Sequence, residues 1–382
     1  MKISDYVESQ IKGLWGTDFD ENGIPVIKTN NLTYEGHIDY SDICKRNITK
    51  EQAKECYLKP GDLLIEKSGG TKTHSVGYVS YFEGDENKFV CNNFILALRP
   101  KNTINSKFLF YQIQFKYESN QFSDCFNKTT GIQNLKVKDY LAKEIKIYSP
   151  EEQEKIVKEL DTVRLIINKN KQILEKFDIL IKSRFIEMFG DIIQNKKNWE
   201  LKSFTEIAKS RLGKMLDSKK QTGKEKYPYL ANFNVQWFRF NLENLNEMDF
   251  SEADRIEFAL KDGDLLVCEG GEVGRCAVWH NQIENCFFQK AVHRVRLNMD
   301  LVHPDYMAYW FKFRSDFNSF DDIVGSKATI AHLTGEKLKL LKIPVPPLSL
   351  QNTFASFVQQ IDKSKFEIAN SLKRLYNKWM LS

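Results

Sequence analysis

The sequence predicts an α+β protein built as an internal duplication: two mixed α/β globular domains in tandem, each followed by a long helix. Three observations lead there. The chain has 382 residues, and domains usually split once a core passes about 250–300 residues. Sequence patches recur at offsets of 198 to 203, the mark of a repeated unit. Two segments carry apolar residues at alternating spacings of four and three, the seam of a helix that packs on another helix.

The duplication can be followed along the chain. Pro25-Val26-Ile27 with Asn31 matches Pro228-Tyr229-Leu230 with Asn234, at an offset of 203. Lys59-Pro60-Gly61-Asp62-Leu63-Leu64 returns as Lys261-Asp262-Gly263-Asp264-Leu265-Leu266, at 202. Double glycines follow at Gly69-Gly70 and Gly270-Gly271, and a third glycine, Gly77 or Gly274, precedes a β-rich run. Downstream the offset settles at 198, pairing Ile132, Leu135, Ile145, Ile147 and Gln153 with Ile330, Leu333, Ile343, Val345 and Gln351.

Runs rich in Val, Phe and Leu, bounded by Gly, Asp and Asn, predict strands at 62–66, 77–82, 89–98, 264–268, 275–280 and 286–297. Aromatic-rich amphipathic stretches predict helices at 106–118 and 304–316. The organisation is therefore a domain over 1–150, a helix over 151–189, a linker over 190–198, a second domain over 199–347 and a second helix over 348–382. Ser149-Pro150-Glu151-Glu152 is a helix start with acidic residues in the first turn. Ile343-Pro344-Val345-Pro346-Pro347 is an extended lead-in to the second helix.

The first helix sets Ile156, Leu160, Val163, Ile167, Asn170, Leu174, Phe177 and Ile181 on one stripe. Adding 198 gives Phe354, Val358, Ile361, Lys365, Ile368, Leu372, Leu375 and Trp379, so six of eight positions are apolar in both copies. Two related stripes favour pairing of the helices as a coiled coil. The apolar positions of both stripes, apart from Ile181 and Trp379, are the expected pairing residues. A helix packed on its own domain would show a wider stripe.

Composition narrows the function. The net charge of +5 permits nucleic-acid binding without demanding it. The seven cysteines include no C-x-x-C pair, which reads as reduced thiols in a cytoplasmic protein. The scattered histidines argue against a metal site. No stretch is long and apolar enough for a membrane span, and the first residues lack an export signal core. There is no phosphate loop, dinucleotide turn, nucleophile elbow or deaminase signature. Asp139 with Glu144-Ile145-Lys146 echoes a nuclease triad, but the second copy places Lys337, Lys342 and Pro344 there, so a solvated charge run is the better reading. Asp62 and Asp264 read as turn residues.

What recurs is binding equipment. Lys28, Thr29, Asn30 and Asn31 form one amide-rich loop, and Asn232, Asn234 and Gln236 belong to another. Asn and Gln can pair with adenine edges, Arg and Lys with guanine. Lys67, Ser68, Gly69, Gly70, Thr71 and Lys72 form a glycine loop that would let backbone approach phosphate. An unliganded hairpin explains it equally well. In the second copy Gly270 and Gly271 are followed by Arg275, and Lys214, Lys219 and Lys220 belong to a basic stretch. A solvated surface loop accounts for those lysines nearly as well. Thr129, Gln133 and Lys327 sit in small polar turns whose plainer role is structural, with phosphate contact as the sharper one.

GDLLIEKSGGTKTHSVGYVSYF, TTGIQNLKVKDYL, GDLLVCEGGEVGRCAVW, IPVPPLSLQNTF and the joining FGDIIQNKKNWELKSF together resemble type I restriction-modification specificity (S) subunits. The resemblance covers nearly the whole chain, in the right order, twice. It implies two target-recognition domains that each read half of a split double-stranded DNA target. It implies that the helices pair antiparallel, set the spacing and dock two methyltransferase (M) subunits. It places S-adenosylmethionine on the M subunits and ATP with Mg on restriction (R) subunits, leaving this chain non-catalytic and without a cofactor. The TKTHS run and Asn92-Asn93 depart from the usual pattern, which bears on which DNA is read. The competing reading is a coiled-coil scaffold that binds protein and has no DNA specificity.

Overall fold

The computed structural model describes residues 1–71, 74–128, 132–217, 221–317, 320 and 332–381, the last six of these by backbone only. Two compact units emerge, one of residues 1–170 with 371–382 and one of residues 171–370. Both cuts fall inside the long helices, Pro150–Phe189 and Leu348–Leu381.

Each globular domain is built on the same four-stranded antiparallel sheet. In the first the order is Val7–Ile11, Ile95–Pro100, Leu63–Glu66 and Val79–Tyr81; in the second it is Ala208–Leu212, Val292–Leu297, Leu265–Cys268 and Cys276–Val278. Leu63–Ile65 and Leu265–Cys268 in the central strands are apolar and buried on both faces, because both faces of each sheet are covered. Leu63 and Ile65 pack with Phe108, Leu109 and Ile113 of the helix Ser106–Glu118, while Leu64 turns to Ile27, Leu58 and Cys91. Leu265 and Val267 meet Tyr306, Met307 and Trp310 of the helix Pro304–Asp316, while Leu266 and Cys268 face Leu230 and Phe288. Side-chain alternation along a strand produces this division.

The second face carries a small mixed sheet, also duplicated. Val26 and Ile27 pair parallel with Val90 and Cys91, as Tyr229 and Leu230 do with Phe287 and Phe288. Each domain closes on itself in the same way: Ile3 donates its N–H to Lys143 O at 3.0 Å, and Phe204 does so to Leu341 O at 3.0 Å. The two helices predicted at 106–118 and 304–316 form at those bounds. The predicted strands are shorter than expected: 77–82 pairs only over Val79–Tyr81, and 89–98 and 286–297 are each broken by a turn, the first capped by Asn92, which accepts from Phe94 N at 3.1 Å.

Two buried aspartates fix the turns before the central strands. Asp62 accepts Arg99 Nε at 2.9 Å, Arg99 Nη2 at 2.7 Å and the Lys59 N–H at 2.7 Å. Asp264 repeats this with Arg296 at 2.7 Å for both nitrogens and with Lys261 N at 2.7 Å. The turn reading of the Gly-Asp pair holds, with an arginine from the neighbouring strand added.

A glutamine keys each long helix to its own domain. Gln153 accepts from Asn105 N at 3.0 Å and donates to Tyr148 O at 2.9 Å. Gln351 accepts from His303 N at 2.8 Å and donates to Leu301 O at 3.0 Å and Pro346 O at 2.7 Å. The first helix starts at Pro150, with Ser149 and Glu152 exchanging capping hydrogen bonds. The 190–198 segment, read as the linker, is folded into turns. Lys197 Nζ binds the Glu187 and Met188 carbonyls, and Trp199 Nε1 donates to Phe189 O at 2.9 Å.

The stripes serve more than helix pairing. Ile156 and Leu160 pack on the first domain's core, and Phe354, Val358 and Ile361 pack on the second's. These five positions were expected at a helix seam; beside each helix start they also lie against the core of the adjoining domain. Ile167 is buried, while Val163, Leu174, Phe177, Ile368, Leu372 and Leu375 are half-buried. Within the second unit the long helices do touch. Phe354 lies edge-on to Phe185 at 5.3 Å and to Phe189 at 5.5 Å. Further along its helix, Lys365 reaches Asp178 at 2.5 Å, so the contacts run in opposite directions along the two helices. The polar break in the second stripe is thus one end of an ion pair.

One carboxyl gives the first unit a pH dependence. Desolvation by the surrounding protein pushes Glu118 up to about 7 although part of its side chain stays exposed, against the opposing pull of Gln114 and Arg164. Folding therefore favours its neutral form. That contribution is complete below the unfolded value of about 4.3 and is lost as pH rises through about 7. The urea midpoint of the first unit should be higher at about pH 5 than at about pH 8. Glu118→Gln should remove the part of that difference due to this group; an unchanged pH slope would sink the assignment.

Candidate nucleic-acid interface

The amide-rich loops owe their shape to one buried asparagine each. Asn31 accepts from Lys28 N at 2.9 Å and donates to Asp39 O at 3.1 Å and Asp42 O at 3.0 Å. Asn234 accepts from Ala231 N at 2.9 Å and donates to Asn241 O at 3.0 Å. Both were candidate base readers. Both are buried with their amides engaged by main chain, so they act as braces.

In the second domain these braces bring three predicted elements together. Asn232 donates to Gly270 O at 3.0 Å. Arg275 Nη2 in turn donates to Asn232 Oδ1 at 2.7 Å and to its carbonyl at 3.0 Å. Gly271 has φ +80°, a conformation glycine adopts without strain, and it leads into a turn closed by Arg275 N–H to Glu272 O at 3.2 Å. At the tip, Trp237 Nε1 donates to Glu272 Oε1 at 2.6 Å. Gln236 donates to Phe233 O at 2.8 Å on the exposed side of the loop.

The first domain joins the same two loops with different groups. Tyr34, the counterpart of Trp237 at an offset of 203, stacks on the His74 ring at 3.7 Å and 16°. His74 is held by Thr71, which accepts its N–H at 3.0 Å and donates its own N–H to His74 O at 2.7 Å. Lys67 lends its backbone to Phe94 and Leu135. Ser68 and Gly69 pair with Asn134 and Gln133, and Gln133 also accepts from Val76 N at 3.2 Å, which brings its polar turn against the glycine loop. Gly70 N contacts Glu66 Oε1 at 3.3 Å. Burial raises the Glu66 carboxyl, whose Oε2 is unpartnered.

The basic candidates divide. Lys28 pairs with the exposed Asp42 at 3.1 Å, beside half-buried Thr29 and exposed Asn30. Lys214 is largely buried, bound to Asp254 and to Asp249 O, each at 2.6 Å. It is a structural ion pair, not a loose phosphate ligand. Lys72, Thr129, Lys219, Lys220 and Lys327 lie outside the described residues. Tyr34, His74 and Glu272 were not singled out by sequence, although an aromatic after each amide turn was there to be seen. Among the described residues, no group of three His, Cys, Asp or Glu side chains could hold a metal ion, and no helix is long and apolar enough to cross a membrane.

A family model for the type I restriction modification DNA specificity domain matches the chain twice, over residues 3–180 and 196–375. The chain belongs to this family. Two family segments thus cover both copies, each running from a globular domain into its helix. A Methanocaldococcus jannaschii protein assigned as the specificity subunit of the type I restriction enzyme MjaX is 23% identical over 195 residues. That match spans 48% of this chain and 45% of the relative, so under half of the relative's length is covered. Among solved structures, the S subunit of a type I restriction-modification system from M. genitalium shares the fold with TM-score 0.59 at 15% identity, covering 100% of this chain and 94% of that one. A chain from a structure addressing complex assembly and conformational transition of the type I R-M system gives TM-score 0.60 at 15% identity, covering 100% and 95%.

Proposed function

We propose that this chain is the DNA-sequence-specificity subunit of a type I restriction-modification complex. Each globular domain reads one half of a split double-stranded target. The helices set the spacing between halves as an antiparallel coiled coil and dock two methyltransferase subunits; restriction subunits complete the complex in the cytoplasm. The chain is non-catalytic and binds no cofactor. S-adenosylmethionine belongs to the methyltransferase subunits, and ATP with Mg to the restriction subunits.

The observation that carries this reading is the shared frame with unlike tips. Both domains join an amide-braced turn to a double-glycine loop through an aromatic side chain, Tyr34 or Trp237. One tip ends in an imidazole and the other in a carboxylate. A frame kept twice with different end groups suits two recognition modules for different sequences. The first long helix also leaves Ile173, Ile179, Leu180 and Ile186 exposed within the second unit. Such a face suits a helical partner better than water.

Exchanging residues 1–150 for the matching segment of another family member tests the reading. Mapping methylated adenines in a genome carrying the hybrid and its methyltransferase should show one half of the motif changed and the other kept. A hybrid that alters both halves would refute modular reading, and one that alters neither would favour a scaffold without DNA specificity.

A further inference from the structure

We propose that Glu272 is a specificity-determining residue of the second domain, reading the exocyclic amine of one cytosine in the major groove. This rests on the DNA-reading function above. The carboxylate sits at the tip of the turn where the two second-domain loops converge, and it is exposed. A carboxylate on a surface that approaches phosphates is repelled unless a donor faces it. It is also held. Trp237 Nε1 fixes Oε1 at 2.6 Å, and no other hydrogen bond to this side chain is made among the described residues, so Oε2 keeps its acceptor capacity.

The support beneath is rigid. Asn232 ties the loop to Gly270, Arg275 ties Asn232 in place, and Arg275 N–H closes the turn on Glu272 O. A group pre-positioned in this way loses little freedom on binding. The choice of base follows from neighbouring atoms. Duplex DNA offers two amine donors in the major groove, cytosine N4 and adenine N6. The adenine amine lies beside the N7 lone pair, which repels a carboxylate. The cytosine amine lies beside C5–H, which does not. In the first domain the stacked Tyr34–His74 pair occupies this place and offers no carboxylate.

The test uses the full chain with its methyltransferase subunits in a host genome, with methylated-adenine mapping as the readout. Glu272→Gln keeps the acceptor that Trp237 binds but turns an amide N–H₂ outward. Trp237→Phe keeps the ring and removes the N–H. Both should relax the same single C·G position of one half-site, with discrimination falling about tenfold and purines admitted in the Gln variant. All other positions should stay fixed. A wild-type split motif that both variants leave unchanged would overturn the role of Glu272 and leave DNA reading intact. Loss of the whole motif in both would also overturn it, marking the pair as structural. A wild-type chain that directs no sequence-specific methylation would remove the DNA-reading premise itself.

Discussion

Phe354→Ala is expected to destabilise the second unit by about 3–5 kcal/mol, the usual range for deleting a fully buried aromatic ring. Phe354 is fully buried at the start of the second long helix. Its ring meets Phe185 at 5.3 Å, Phe189 at 5.5 Å and Tyr309 at 5.2 Å, in edge-to-face arrangements. These rings come from the first long helix and from the domain helix Pro304–Asp316. None can collapse into the space without breaking its own stacking, as Phe185 shows by lying face to face with Phe313 at 4.6 Å. Such a site retains its cavity, which places the effect toward the upper end. Denaturant unfolding of the full chain would measure it. Phe366→Ala, on the same helix but 67% exposed, should change stability by less than about 0.5 kcal/mol. Equal effects at the two positions would show that the aromatic cluster is not the seat of stability.

The second large effect is expected in the first domain. Asp62→Ala should cost about 3 kcal/mol, near the lower end of what breaking one side of a buried ion pair costs. The carboxylate is almost fully buried, while Arg99 keeps 24% of its side chain exposed, so part of the stranded guanidinium can still be hydrated. The Lys59 N–H loses its acceptor as well. Asp264→Ala should cost less, because Arg296 is 38% exposed and better able to recover solvent. Melting curves of the two variants decide the order. A larger loss for Asp264→Ala would mean that the paired arginine's solvation does not set the cost.

Much of the fold was legible because it was written twice. A single Gly-Asp pair is a weak signal, but two at an offset of 202, each before an apolar run, could only be the same turn in two domains. The strand LLIE or LLVC and the helices at 106–118 and 304–316 follow from local pattern. What the stripe could not show was its partner. Ile156 and Phe354 carry apolar periodicity whether they face another helix or their own domain, since periodicity reports a buried face and not what buries it. The candidate site was legible in its loops and not in its tips. Asn31 and Asn234 recur because the loops need them, so repetition pointed at the braces. Residues that differ between copies, His74 and Glu272, give no repeat signal at all. Lys214 misled for a related reason: its charge was visible in the sequence, but Asp254, which pairs with it, is brought there only by the fold.

The glutamine at the head of each long helix carries a consequence for inheritance. Gln153 and Gln351 grip main-chain atoms alone: the amides of Asn105 and His303, and the carbonyls of Tyr148, Leu301 and Pro346. A peptide group looks the same whichever side chain it bears. The glutamine's grip is therefore blind to side chains, and a domain arriving by recombination would keep it if its backbone follows the same course and its core still accepts the apolar residues at the helix start. If the domains read DNA as proposed above, a lineage could then trade them like interchangeable bits on one shank, acquiring a new address in a single exchange.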